Sequence, residues 1–264
     1  MERSMSIARL AGIFLLACSA VASSALIRGQ SESFNKPIKE TVVDLGLSPY
    51  YPVVRRVHGQ LRCHYFPIFM VKELDWKQKG DDWISIAPNT RAHLTPCSQE
   101  HGQSEIVIPP ENGLAGYFGG VKANLVFLDA ADCFDSGCPF GVFEPFTGKK
   151  LFEDSTRLSN TGEISEILFG KNNGNLVMRY PRVVPAECSL PQKKSECWND
   201  IIRTTGLTPQ PIPKCIGYSG FNRQEGFGTS DQSDPSVVSF SVEVTIPEFK
   251  THILPGPVTC WAAD

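Results

Sequence analysis

The chain has 264 residues, of which 41% are apolar and 20% are charged, and its formal net charge is −3. This composition is that of an ordinary globular protein and excludes a disordered chain, which would have few apolar residues and a large net charge. The near balance of charge gives no electrostatic basis for binding nucleic acid. The 22 glycines and 20 prolines predict many turns and few long helices.

Residues 1–25 are predicted to be a secretory signal peptide. Two arginines supply its positive start, an apolar run occupies 10–22, and 20–22 is a small-x-small cleavage site. The run is shorter than the roughly 20 residues that a transmembrane helix needs. The sequence therefore predicts a periplasmic or secreted protein without a membrane span. The alternative is a lipoprotein, because the residues before Cys18 are similar to a lipobox and would place a lipid anchor there.

Cleavage of that segment removes Cys18 and leaves eight cysteines, an even number that predicts a disulfide framework in an exported chain. Eight cysteines allow 105 pairings, and the sequence alone does not choose among them. Short spacing favours Cys133–Cys138 and Cys188–Cys197. Order along the chain then suggests Cys63–Cys97 and Cys215–Cys260.

The mature chain is predicted to be all-β, with mainly antiparallel sheet arranged as a β-sandwich or a closed sheet. Residues 26–40 are polar and are expected to be extended or disordered, and residues 41–264 are expected to form a single disulfide-stabilised domain. Strand-like segments alternate with turns throughout this domain. The clearest of them are, in chain order, 64–74, 83–86, 105–108, 124–129, 140–144, 163–169, 175–184 and 237–246.

Three local patterns in the second half of the chain have a direct structural meaning. Residues 237–246 alternate between apolar and polar side chains, which is typical of a half-buried strand. The pair Asn173–Gly174 predicts a tight hairpin turn, since both positions tolerate positive φ. One short helix is expected near 196–205, with Ser195 as its N-cap and Gly206 at its end.

The segment around the first short cysteine pair carries three carboxylates, Asp129, Asp132 and Asp135, at every third position. Calcium binds several oxygen ligands from a turning loop, so these residues are candidates for a Ca²⁺ site. The alternative is a solvated β-turn in which one aspartate caps backbone amides. No other cofactor is predicted.

Two patterns would support a secreted hydrolase. Cys215 and the Gly-Tyr-Ser219-Gly stretch are superficially similar to the nucleophile region of chymotrypsin-like serine proteases, although Tyr218 and Phe221 depart from that motif and no matching histidine segment is present. Paired carboxylates would instead suit glycoside hydrolysis. The carboxylates considered are Asp129, Asp132, Asp135, Glu144, Glu153 and Asp154.

Phenylalanines are frequent around the aspartate segment, and Phe134 and Phe146 are the two that fall in predicted loops. An exposed aromatic ring can stack on a sugar or anchor a protein partner. The alternative is that both rings fold back onto the core. Phe134 and Phe146 are therefore the candidates for contact with a protein or carbohydrate ligand.

Residues 116–155 and the ending 258–264 resemble segments of uncharacterised exported proteins of proteobacteria. The resemblance implies export and a bacterial origin, and it brings no activity with it. Because no coherent catalytic set is present, the first hypothesis is an exported, non-catalytic binding or interaction protein. The alternatives are a secreted hydrolase and an inhibitor of an extracellular enzyme that inserts a disulfide-rigid loop, 133–138 or 188–197.

Overall fold

The computed structural model describes residues 33–50, 56–90, 93–108, 116–131, 133, 136–157, 166–218 and 232–263. They form fifteen strands and one helix, which confirms the all-β class. The elements are β1 (Lys39–Leu47), β2 (His58–Tyr65), β3 (Phe69–Asp75), β4 (Trp83–Pro88), β5 (Ile106–Ile108), β6 (Gly116–Lys122), β7 (Leu125–Ala130), β8 (Cys138–Phe143), β9 (Lys150–Thr156), β10 (Leu168–Asn172), β11 (Asn175–Pro185), α1 (Leu190–Thr205), β12 (Cys215–Ile216), β13 (Ser236–Ile246), β14 (Lys250–Ile253) and β15 (Thr259–Ala262).

The strands form two sheets. Sheet I contains β1 to β5 in chain order, and sheet II has the order β12-β15-β13-β11-β9-β8-β7-β6, with β10 beside β11 and β14 beside β13. Neighbouring strands are antiparallel except for the short parallel pair of β12 and β15. Among the described residues neither sheet closes into a barrel, so the open, two-sheet form of the predicted architecture is the one observed.

Alternation of side chains along the strands produces three apolar layers. The inner face of sheet I packs against sheet II through residues such as Val71 and Leu128. The opposite face of sheet II packs against α1, where Phe140 and Trp198 belong to one core. The outer face of sheet I carries a smaller core that includes Leu61. Sheet I is therefore covered on both faces over much of its area.

Four disulfides are present, and their pairing is the one that spacing and chain order suggested: Cys63–Cys97, Cys133–Cys138, Cys188–Cys197 and Cys215–Cys260. This number of disulfides fits a compartment outside the reducing cytosol. The described residues contain no helix with both the length and the apolar character that a membrane crossing requires.

Several strand predictions are confirmed with changed boundaries. Residues 64–74 are divided between β2 and β3 by a tight turn in which Phe66 N donates to Phe69 O. The turn between β10 and β11 has positive φ at Asn173 and Gly174, as the sequence predicted. The apolar side chains of β13 enter the core against α1. Its polar face is more covered than alternation implied, because Glu243 is only 5% exposed.

The helix predicted near 196–205 is confirmed and is longer than predicted. It begins at Leu190, and its N-cap is Ser189, whose Oγ accepts a hydrogen bond from Gln192 N. Residues 193–194 depart from helical dihedral angles, so Ser195 follows a kink within the helix and is not its N-cap. Gly206 ends the helix in the left-handed conformation, because glycine adopts positive φ without a steric cost.

Of the segment 26–40, predicted to be extended or disordered, the structure describes 33–40. Residues 33–38 connect the two sheets, and Lys39 and Glu40 are the first residues of β1. Backbone N–H groups of this segment bond to β6 and to β2. The ring of Phe34 packs edge-on against Phe127 and Phe169, with centroids 5.1 and 5.0 Å away. Residues 33–38 are thereby fixed to the core.

The Phe34 ring requires a glycine beneath it. Gly120 has φ of +143°, and a Cβ there would lie 2.5 Å from Phe34 Cγ. We expect Gly120→Ala to lower the free energy of unfolding by about 1–3 kcal/mol, because the side chain adds both strain and a clash. Urea denaturation measures this. The control is Gly102→Ala, whose Cβ would meet only Glu105 Oε2 at 3.9 Å; a similar loss in both variants would contradict the argument.

Candidate functional site

Two consecutive charged residues lie in the middle of β3, which is buried on both faces. Lys72 points to the outer face of sheet I and is 1% exposed, whereas Glu73 points to the inner face and is 6% exposed. A buried charge is costly unless it is paired and hydrogen-bonded. Each residue accordingly organises a polar cluster, and the two clusters lie on opposite faces of the same strand.

The outer cluster is centred on the Lys72 ammonium. Its Nζ lies 2.8 Å from Glu105 Oε1 and donates to the backbone carbonyls of Ser98 and Glu100, each at 2.9 Å. An ammonium has three protons, so all three have an acceptor. Two of these acceptors are main-chain atoms of one loop, and Lys72 therefore fixes the path of the backbone there.

Glu105 completes the outer cluster from the end of the same loop, and its side chain is only 1% exposed. Besides Lys72, its carboxylate accepts hydrogen bonds from Ser85 Oγ, from His101 Nδ1 at 2.9 Å and from Gly102 N at 2.9 Å. Burial alone would raise the pKa of Glu105, but the bonds from Lys72, Ser85 and His101 outweigh it and hold the pKa below its usual value. Glu105 is therefore an anionic partner of the lysine at neutral pH.

We call residues 93–105 the anchored loop. Besides Lys72 and Glu105, the disulfide Cys63–Cys97 ties it to β2, and Asn89 Oδ1 accepts a hydrogen bond from Thr95 N at 2.8 Å. The side chains of residues 98–104 are nevertheless exposed. The loop thus combines a backbone held from below with side chains that face solvent.

Loss of the lysine should destabilise the protein through the charge left behind. We expect Lys72→Met to lower the free energy of unfolding by about 3 kcal/mol, because Glu105 then stays buried without its principal cation. Adding Glu105→Gln should recover part of the loss, which a double-mutant cycle in urea measures. Arg203→Met, which removes the exposed ion pair with Asp200 on α1, is the control and should leave stability unchanged.

An equal loss in the single and double variants would contradict the assigned pairing, because the second substitution removes the unpaired charge.

The inner cluster, His64, Glu73 and Asp81, lies where sheet I meets β6 of sheet II, and we call it the inter-sheet cluster. Glu73 Oε2 accepts a hydrogen bond from His64 Nε2 at 2.6 Å, and its Oε1 accepts one from the backbone N–H of Phe118 at 3.1 Å. The His64 ring also packs on Phe118, with centroids 4.8 Å apart. Asp81 follows β3 in the turn to β4 and is 9% exposed.

Burial and the adjacent charges set the protonation of this cluster. Burial, the charge of Glu73 and the hydrogen bond with it raise the pKa of Asp81 to about 10, so Asp81 carries a proton at neutral pH. Burial alone would raise the pKa of Glu73, but its bonds with His64, Asp81 and Phe118 hold it below its usual value. Burial lowers the pKa of His64, but Glu73 and then Glu40 outweigh it and raise the pKa above its usual value.

The Asp81 proton should make stability depend on pH. An unfolded aspartate titrates near 3.8 and the folded one near 10, so between these values the folded chain holds one more proton and its stability falls as pH rises. From pH 4 to 7 this costs about 4 kcal/mol. We expect Asp81→Asn, whose amide still donates to Glu73, to remove that part of the slope in urea denaturation at several pH values.

The control is Asp82→Asn at the exposed neighbouring position, which should leave the slope in place. An unchanged slope in Asp81→Asn would contradict the assigned proton.

The predicted calcium ligands are not brought together by the described part of the structure. Asp129 lies on β7 and is 3% exposed, while Asp132 and Asp135 lie outside the described residues. Among the described residues, no group of three or more His, Cys, Asp or Glu side chains is arranged to hold a metal ion. The calcium site therefore stays a prediction.

The carboxylates considered for hydrolysis are engaged separately. Asp154 accepts hydrogen bonds from the Tyr180 hydroxyl and from Arg182 Nε, the latter at 2.7 Å. Glu153 lies next to it on β9 and so faces the other side of the sheet, where it forms a half-exposed ion pair. Glu144 accepts from a threonine hydroxyl in its own turn at 2.6 Å. Ser219, the candidate nucleophile, lies outside the described residues.

Of the two phenylalanines predicted to bind a ligand, Phe146 is 52% exposed and packs edge-on against Phe69, with centroids 6.3 Å apart. Phe134 lies outside the described residues. Two further apolar side chains are exposed on segments that meet at the same end of sheet I: Ile68 precedes Phe69, and Leu94 lies in the anchored loop. Phe146 therefore lies beside the start of β3 and contacts an inner-face residue of sheet I, whereas the anchored loop covers the outer face.

No protein-family model matches the chain, and no curated protein or solved structure shows a significant match to it.

The sequence does not predict either polar cluster of sheet I, because 64–74 is rich in apolar residues and is typical of a buried strand. The available signal was the pair Lys72–Glu73 inside that strand, since charged residues are almost never fully buried unless they are paired. The partners Glu105 and Asp81 are not marked by any motif.

Proposed function

We propose that this protein is an exported, non-catalytic binding protein that presents the anchored loop to a protein partner. The observation that carries the proposal is the use of the buried Lys72 charge. A buried ion pair is often no more stabilising than apolar residues of similar size. Two of the three Lys72 bonds go to main-chain carbonyls of an exposed loop, so the pair gives that loop one defined shape.

A loop that is ordered before binding loses little conformational entropy when it meets its partner, which raises affinity. The exposed apolar side chains of Leu94, in the loop, and of Ile68, whose carbonyl accepts from Asn89 N, supply the kind of contact that protein interfaces use. The four disulfides support an oxidising compartment for this contact. Secretion by the predicted signal peptide 1–25 is part of the proposal.

The disulfide loops 133–138 and 188–197, predicted as the inserting loops of an inhibitor, are separate from the anchored loop. In the 188–197 segment, Leu190 and Cys197 of α1 are buried in the core, while residues 192–196 are exposed. Residues 134 and 135 of the 133–138 loop lie outside the described residues. If the partner is an extracellular enzyme, the anchored loop is the segment that would contact it.

Site-specific photo-crosslinking in cells of the source organism tests the proposal. A photoreactive residue replaces exposed Gln99 in the anchored loop or, as the positional control, exposed Glu248 on sheet II. We expect a discrete protein adduct from position 99 alone. In the Lys72→Met/Glu105→Gln background, which releases the loop carbonyls while removing the unpaired charge, its yield should fall at least about tenfold, or 1.4 kcal/mol of binding.

Three results would contradict the proposal: no adduct from position 99, the same adduct from position 248, or a yield that does not change when the loop is released. An adduct digested by glycosidase and not by protease would identify a carbohydrate ligand and overturn the protein partner. Circular dichroism of the double variant confirms that the fold is retained.

A further inference from the structure

The inter-sheet cluster is the place where β6 is fastened to sheet I, and its bonds belong to one continuous edge. Phe118 N donates to Glu73, Asp81 N donates to Gly116 O at 2.8 Å, and Gly80 N donates to the Tyr117 hydroxyl at 2.9 Å. Three consecutive residues of β6 are therefore held by β3 and by the turn that follows it.

These contacts depend on a proton between two carboxyl groups. Asp81 Oδ2 is buried, and among the described residues no N–H or O–H group donates to it. A hydrogen bond between the Asp81 and Glu73 carboxyl groups lowers the pKa of Glu73 and raises that of Asp81, and such a bond needs a proton on one of the two, while His64 Nε2 lies 2.6 Å from Glu73 Oε2. Without that proton, two buried carboxylates would face each other, which is strongly unfavourable.

The other charged groups around the cluster do not remove this dependence. From sheet I, Arg62 favours the ionised form of Asp81, but its side chain is 42% exposed and lies 3.8 Å from Asp75, whose own charge acts in the opposite sense. Lys77 is bound to Asp75 and Gln60.

Glu40 is bound to His64 through Nδ1, the ring nitrogen that does not contact Glu73. From sheet II, the Tyr117 hydroxyl accepts from Gly80.

We propose that the inter-sheet cluster is a proton-controlled latch, in which a rise in pH opens the contact between β6 and sheet I while the rest of the fold persists. Asp81 and His64 both release protons as pH rises, and each loss weakens the hold on Glu73. An exported protein meets the pH of its surroundings directly, so such a latch would respond to an alkaline medium.

The latch should leave the anchored loop in place. Its anchors, Lys72 and Cys63, lie on the outer face of sheet I, whereas Glu73 and His64 lie on the inner face. The two sites therefore share strands but no polar contact, and the anchored loop serves as an internal reference for local opening.

Amide hydrogen exchange of the full chain between pH 6 and 9 tests the latch, with each rate divided by that of an unstructured peptide at the same pH. If opening releases one proton, the protection of residues 116–122 should fall about tenfold per pH unit. Protection of the anchored loop should change less than about twofold over the same range. Carboxyl ¹³C NMR on the same protein should find Asp81 protonated at pH 7.

Asp81→Asn keeps the donor to Glu73 but has no proton to lose, so the pH dependence of protection at 116–122 should fall to the smaller part that His64 contributes. Glu243→Gln, at a buried carboxylate bonded to Arg179, is the matched control and should retain the pH dependence. The latch is overturned if Asp81 is ionised at pH 7, if Asp81→Asn behaves as the native protein does, or if 116–122 and the anchored loop lose protection together. The last result would mean that pH acts only on global stability.

Discussion

The burial of β3 on both faces is the constraint on which the other features depend. In a strand, successive side chains point in opposite directions, so Lys72 and Glu73 enter two different buried environments. Neither charge reaches water, and each must find its partners in the segment that covers its face. The outer cover is consequently a loop held through its carbonyls, and the inner cover is the edge strand β6, whose Phe118 N–H donates to Glu73.

The same alternation operates one strand away. Cys63 points outward and is bonded to Cys97 of the anchored loop, while its neighbour His64 points inward and is bonded to Glu73. In both β2 and β3, one residue holds the anchored loop and the next residue belongs to the cluster that holds sheet II. The anchored loop is held by a disulfide and an ion pair, whereas the contact with sheet II depends on a proton shared by two carboxyl groups. The first suits a fixed binding surface, and the second suits a contact that responds to pH.

The two proposals follow from the kind of group that each buried charge holds. Carbonyls held by a lysine that keeps all its donors occupied give a loop of constant shape, which favours recognition of a partner. An amide held by a carboxylate that shares a proton with a second carboxyl gives a contact whose strength varies with pH. The failure of one proposal would leave the other standing, because the anchored loop and the inter-sheet cluster have no polar contact in common.

Local sequence determined much of the fold. Alternation in 237–246, the Asn173–Gly174 turn and Gly206 at the end of the helix act over a few residues, and close spacing is enough to favour Cys133–Cys138 and Cys188–Cys197. The polar clusters were decided only by tertiary structure. Lys72 and Glu105 are 33 positions apart, and the pairing of Glu73 with Asp81 arises from burial between two sheets. A charged residue within an apolar strand shows in the sequence that a partner is required, but only the packing of distant segments determines which group supplies it.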